Sequence, residues 1–91
     1  MVKVKAFIVP GVELIFHSAD HEPPHFHAEK PGEWELRVYI KDSNESTGLR
    51  YDVIWQDKSR GPGKRLKKTL LRKIQAHRAA LLKQWEDSVD Y

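Results

Sequence analysis

The chain has 91 residues, of which 40% are hydrophobic and 32% are charged, with a formal net charge of +3 and no cysteine. The length predicts a single domain over residues 1–91, and the composition excludes a disordered chain. Without cysteine, and without an apolar run of about 20 residues, the sequence excludes disulfides, thiolate metal sites and transmembrane helices.

Five short segments with apolar residues at alternate positions predict β-strands, because successive side chains of a strand point to opposite faces. The segments are residues 2–9, 12–18, 25–29, 34–41 and 49–56. The clearest alternation is in the fourth segment, where one face carries Trp34, Leu36, Val38 and Ile40. In the last segment, the residues expected to share one face are Leu49, Tyr51, Val53 and Trp55. The pattern predicts an antiparallel sheet of four to five strands.

From Lys64 to Asp87 the apolar period changes to that of an α-helix. One stripe along this helix is formed by Leu66, Leu70, Ile74, His77, Leu81 and Trp85. One long helix and two helices with a bend near residues 75–77 both fit this spacing. Because the helical segment follows the strands rather than alternating with them, we expect an α+β fold with the helix on one face of the sheet. His77 is expected to be a buried, hydrogen-bonded packing residue.

Positive charge is concentrated in the last third of the chain. Residues 1–57 contain six Lys/Arg and ten Asp/Glu, whereas residues 58–91 contain ten Lys/Arg and three Asp/Glu. A segment of one charge sign attracts phosphates or acidic partners, although a solvated helix face without a ligand fits equally well. The candidate nucleic-acid-binding residues are Lys58, Arg60, Lys64, Arg65, Lys67, Lys68 and Arg72.

Four of the five histidines lie within eleven residues, at His17, His21, His25 and His27. If Phe26 and Ala28 face the core, His25 and His27 emerge together on the other face, about 7 Å apart along the strand. The same alternation places further polar residues on that face, namely Glu13, His17, Glu35, Arg37 and Tyr39.

Three interpretations of the histidines remain open. They can order the loop through hydrogen bonds, or bind a divalent transition metal such as zinc through His21, His25 and His27. They can also act as acid–base catalysts, with His25 and His27 as the reacting pair and His21 in support. Because the helix is expected to cover the opposite face of the sheet, its basic residues and the histidines are interpreted as two separate sites.

The run His21-Glu22-Pro23-Pro24-His25-Phe26-His27-Ala28, preceded by Asp20, resembles domain of unknown function 4160, a family of small bacterial proteins. The resemblance extends to the apolar segment 14–16 and the helical segment 74–85, so it covers most of the chain, although residues 42–63 depart from it. It implies membership of a toxin–antitoxin-like gene pair and therefore an antitoxin-like partner protein. It carries over no catalytic residue.

The leading prediction is a cytoplasmic bacterial protein of such a module, which binds RNA, DNA or a partner protein through its basic C-terminal segment. The alternative is a metal-binding or metal-dependent domain that uses the histidine box, residues 21–28. A third interpretation is an interaction domain whose sheet edge or basic helix meets an acidic protein. Enzymatic and non-enzymatic functions both stay open.

Overall fold

The computed structural model describes residues 2–17, 21–58 and 61–88. The five strands and one helix of this part are β1 (Val2–Lys3), β2 (Glu13–Phe16), β3 (His25–Lys30), β4 (Trp34–Tyr39), β5 (Tyr51–Gln56) and α1 (Lys64–Ser88). Each strand pairs antiparallel with the next, so that the order in the sheet is the order in the chain. The predicted α+β class is confirmed.

The two faces of the sheet differ in polarity because polar and apolar residues alternate along its strands. Strand pairing aligns Leu14, Ala28 and Leu36 across β2, β3 and β4, and all three side chains are buried. We call this the helix-side face and the other the open face. Burial of each large apolar side chain here stabilises the fold by roughly 1.5–3 kcal/mol.

The helix α1 packs its apolar stripe on the sheet and bends at one residue. Its buried residues are Leu70, Ile74, Leu81 and Trp85, as the spacing predicts. His77 has non-helical backbone angles (φ −123°, ψ 20°), so the bend lies within the predicted range. The His77 ring is half-buried and stacks on Phe7 at a centroid distance of 5.7 Å, which confirms its packing role. The predicted full burial is wrong, and no hydrogen bond of this ring is found among the described residues. The helix has no apolar stretch long enough to cross a membrane.

The helix crosses the sheet from the β5 side to the β1 side. Near its start, Nζ of Lys67 lies 5.1 Å from the centroid of the Tyr51 ring. Near its end, the Gln84 amide donates a hydrogen bond to the carbonyl of Lys3 (2.6 Å) and accepts one from the backbone N–H of Lys5 (2.8 Å). These contacts tie the two ends of α1 to opposite edges of the sheet.

The predicted first strand over residues 2–9 is too long, because strand β1 ends at Lys3. Beyond it, Val4, Phe7 and Val9 are all buried. A regular strand cannot place Val4 and Phe7 on the same face, because they are an odd number of residues apart. The segment therefore leaves the strand conformation to bury all three, and it turns back at Gly11, whose φ of 78° favours glycine.

The alternation predicted for the last strand is interrupted by a β-bulge. Val53 pairs with Leu36 on the helix-side face, whereas Trp55 pairs with Glu35 on the open face. The register shift between Glu35 and Leu36 adds one residue to β5 and reverses the alternation beyond it. The prediction that Trp55 shares a face with Val53 and Tyr51 is therefore wrong.

Candidate functional site

Strand pairing arranges the polar residues of the open face in rows across the sheet. The rows are Glu13–Glu29–Glu35, Ile15–His27–Arg37 and His25–Tyr39. The prediction that His25 and His27 share this face with Glu35, Arg37 and Tyr39 is confirmed. The open face therefore brings imidazoles and carboxylates from three neighbouring strands close together.

His27 lies at the centre of this face and is largely shielded from solvent, with 8% of its surface exposed. Its Nδ1 is 3.1 Å from Oε2 of Glu35, so the carboxylate accepts a hydrogen bond from the ring. The ring of His17, at the end of β2, lies edge-on to His27 with a centroid distance of 4.2 Å. His27 is therefore oriented by a carboxylate and covered by a second imidazole.

His17, His27 and Glu35 form a group with the donor atoms of a metal site. Each offers one potential ligand atom, and these atoms all lie within 4.8 Å of one another. Two imidazole nitrogens and one carboxylate oxygen form a known protein donor set for zinc. Among the described residues, this is the group whose donor atoms are close enough to share a metal ion. Of the predicted ligands His21, His25 and His27, only His27 belongs to it.

His25 is packed rather than presented to solvent, with 5% of its surface exposed. Its Nδ1 donates a hydrogen bond to the carbonyl of Pro23 (2.8 Å), and the Trp85 ring of α1 lies 5.1 Å away, centroid to centroid. These contacts favour the loop-ordering interpretation for His25. His21 is exposed on the loop before β3. The catalytic assignment of His25, His27 and His21 stays a prediction.

The row of three carboxylates makes the open face locally acidic. Partial burial raises the pKa of Glu29 above 4.5, and a hydrogen bond with Glu35 and the charges of Glu35 and Glu13 raise it further. The electrostatic interaction with His17 lowers this pKa in part. The carboxylates therefore repel one another, and a bound cation would relieve that repulsion.

The predicted nucleic-acid-binding residues gather mainly at the start of α1. A shallow cleft is lined by Lys64, Arg65, Lys68, Thr69 and Arg72, and its four cationic residues are exposed. Lys67 is half-buried over Tyr51, and Lys58 is exposed after β5. Arg60 lies outside the described residues, as does Asp20, which precedes the histidine box.

Comparison with known proteins yields no match to a protein-family model, a curated protein or a solved structure. The resemblance of residues 21–28 to domain of unknown function 4160 therefore stays a prediction. The function of the histidine–carboxylate group on the open face and of the basic cleft on α1 must therefore be inferred from their geometry.

Proposed function

We propose that this chain binds the phosphate backbone of RNA or DNA through the start of α1, as a cytoplasmic component of a toxin–antitoxin-like module. The module and the bacterial source rest on the resemblance of residues 21–28. The binding surface rests on one structural observation, the four exposed cations around a single cleft: Lys64, Arg65, Lys68 and Arg72.

The helical spacing of these residues supports the proposal. At 100° per residue the four side chains fall within an arc of about 100°, and the distance from Lys64 to Arg72 along the axis is about 12 Å. At about 3.4 Å per phosphate along one strand of duplex DNA, that length spans about four phosphates. The surface is therefore of a size and shape to follow a nucleic-acid backbone.

Among the described residues, no ion pair neutralises the charges of this surface. No acidic residue lies between Lys58 and Lys83 in the sequence. Within the described part of the chain, the ion pair of α1 joins Lys83 to Asp87 and involves none of the four cleft cations. Unpaired cations on one helix face supply affinity for phosphates that does not depend on base sequence.

The test measures binding of fluorescently labelled single-stranded and double-stranded RNA and DNA at several salt concentrations. We expect the affinity to fall steeply with salt, with a logarithmic slope of about −3 for four phosphate contacts. A variant with Lys64, Arg65, Lys68 and Arg72 replaced by Ser should lose most of this binding and most of the slope.

The matched control replaces four exposed lysines away from the cleft by Ser, namely Lys3, Lys5, Lys30 and Lys41. It removes the same charge, so it should lower the affinity much less than the cleft variant does. Equal losses in the two variants, or binding that is insensitive to salt, would contradict the proposal.

A second candidate function, binding of an antitoxin-like protein, is favoured by the exposed apolar side chains of β5. Val53, Ile54 and Trp55 are 47%, 42% and 41% exposed. An edge strand with such side chains can pair with a strand of another protein. The test is coexpression with the protein of the adjacent gene and size-exclusion chromatography. An Ile54→Lys variant should lose the complex and the cleft variant should keep it; the reverse result would contradict this candidate.

A further inference from the structure

We infer that the open face of the sheet binds one divalent transition metal ion, of which zinc is the best fit, through His17, His27 and Glu35. This site is separate from the proposed nucleic-acid surface, because its ligands lie on β3, β4 and the end of β2, whereas the cleft cations all lie on α1.

The distances between the donor atoms are close to those of a zinc site. With ligand bonds of about 2.0–2.2 Å, two ligands of a tetrahedral zinc ion are about 3.4 Å apart. Nδ1 of His27 and Oε2 of Glu35 are already 3.1 Å apart, and all three donor atoms lie within 4.8 Å of one another. Assembly of the site therefore needs only small side-chain movements.

The site is held by rigid parts of the fold. His27 and Glu35 lie on paired strands, and their separation is set by the register that joins β3 to β4. His17 directly follows β2, whose pairing with β3 places Ile15 opposite His27. Ligands carried by adjacent strands lose little conformational freedom when the metal binds.

The electrostatic surroundings favour a cation. Glu13 and Glu29 complete the carboxylate row beside the site, whereas the neighbouring row carries two basic residues, Arg37 on β4 and Lys3 on β1. Arg37 in turn pairs in register with Asp52 on β5, which carries the opposite charge. The carboxylates therefore outnumber the basic groups around His27.

The donor set selects the class of metal. Two imidazole nitrogens favour zinc and its transition-metal neighbours, whereas magnesium and calcium prefer sites made entirely of oxygen ligands. In the bound form, the metal takes the place of the hydrogen between His27 Nδ1 and Glu35, and the neutral imidazole then carries its one proton on Nε2. The remaining coordination position is open to water or another donor.

The experiment uses the full chain, purified without a polyhistidine tag, stripped with chelator and titrated with Zn²⁺ or Co²⁺. We expect calorimetry to give one bound ion per chain. Bound Co²⁺ should absorb visible light more strongly than the free hydrated ion, because its coordination in the protein has lower symmetry. His17→Ala and Glu35→Gln should each weaken binding at least tenfold, the scale on which even outer-shell substitutions act. The two variants test the site independently, and circular dichroism checks that each is folded.

The matched control is His21→Ala, which removes an exposed histidine outside the group. It should bind metal like the parent protein. Absence of binding by the parent protein would overturn the inference. So would a loss in His21→Ala as large as that in His17→Ala, because the metal would then be held by the histidine box instead.

Discussion

Trp85 of α1 contacts rings that belong to opposite faces of the sheet: its centroid lies 5.1 Å from that of His25 and 6.3 Å from that of Phe16. This contact is possible where strand β2 ends at Phe16 and β3 begins at His25. Trp85 thus packs over the end of the sheet and connects the helix to His25 of the histidine box. It explains why a histidine on the open face is buried.

We expect Trp85→Phe to destabilise the protein by about 1–3 kcal/mol, because it removes packing from a residue that is only 1% exposed. The indole N–H of Trp85 has no hydrogen-bond partner among the described residues, so this variant loses packing but no hydrogen bond. Urea denaturation measures the free energy of unfolding. Acylation of His25 by diethyl pyrocarbonate, followed by mass spectrometry, should become faster in this variant.

The control for this substitution is Trp55→Phe on β5, where the side chain is 41% exposed. Its effect should stay within about 0.5 kcal/mol, as for most surface substitutions. Equal effects of the two substitutions, or unchanged acylation of His25, would show that Trp85 does not cover this histidine.

Ser43→Ala should cost about 1–3 kcal/mol, because the Ser43 side chain is fully buried and uses its hydroxyl group twice. The hydroxyl donates to the carbonyl of Tyr39 (2.6 Å) and accepts from the backbone N–H of Arg50 (2.9 Å). Alanine leaves both backbone groups without this partner. Urea denaturation measures the change, and Ser46→Ala, an exposed serine of the same loop, is expected to be nearly neutral.

The fold was most predictable where strand alternation and helical spacing are local properties of the sequence. The alternation from Trp34 onward predicted β4 to within two residues, and the spacing of the helix predicted its buried stripe. The bulge that moves Trp55 to the other face depends on how β5 pairs with β4, so the alternation of β5 alone does not reveal it. The early end of β1 likewise depends on core packing around Phe7.

The sequence predicted which face of the sheet carries the candidate site, but not which residues form it. Strand alternation placed His17, His27 and Glu35 on one face, yet their mutual distance depends on the register between strands. Closeness in sequence favoured His21 and His25 as partners of His27 instead. Nothing in the sequence around His25 indicates that Trp85, sixty residues later, covers it.

Glu29→Gln is expected to stabilise the protein near neutral pH. The pKa of Glu29 is raised in the folded protein above its ordinary value of 4.5, so between these two values the folded state binds more protons than the unfolded state. Stability therefore falls as the pH rises through this window, and the loss persists above it. Glutamine removes the charge beside Glu13 and Glu35, which should add a few tenths of a kcal/mol near pH 7.

The measurement is the free energy of unfolding from urea denaturation near pH 7 and again below pH 4.5, with chelator present so that bound metal adds no stability. The advantage of Glu29→Gln over the parent protein should shrink at the lower pH, because the parent carboxyl group is then protonated in both states. Glu45→Gln, an exposed carboxylate in the loop between β4 and β5, is the control and should show no comparable change with pH. An advantage that grew on acidification would mean that the carboxylate row stabilises the sheet rather than straining it.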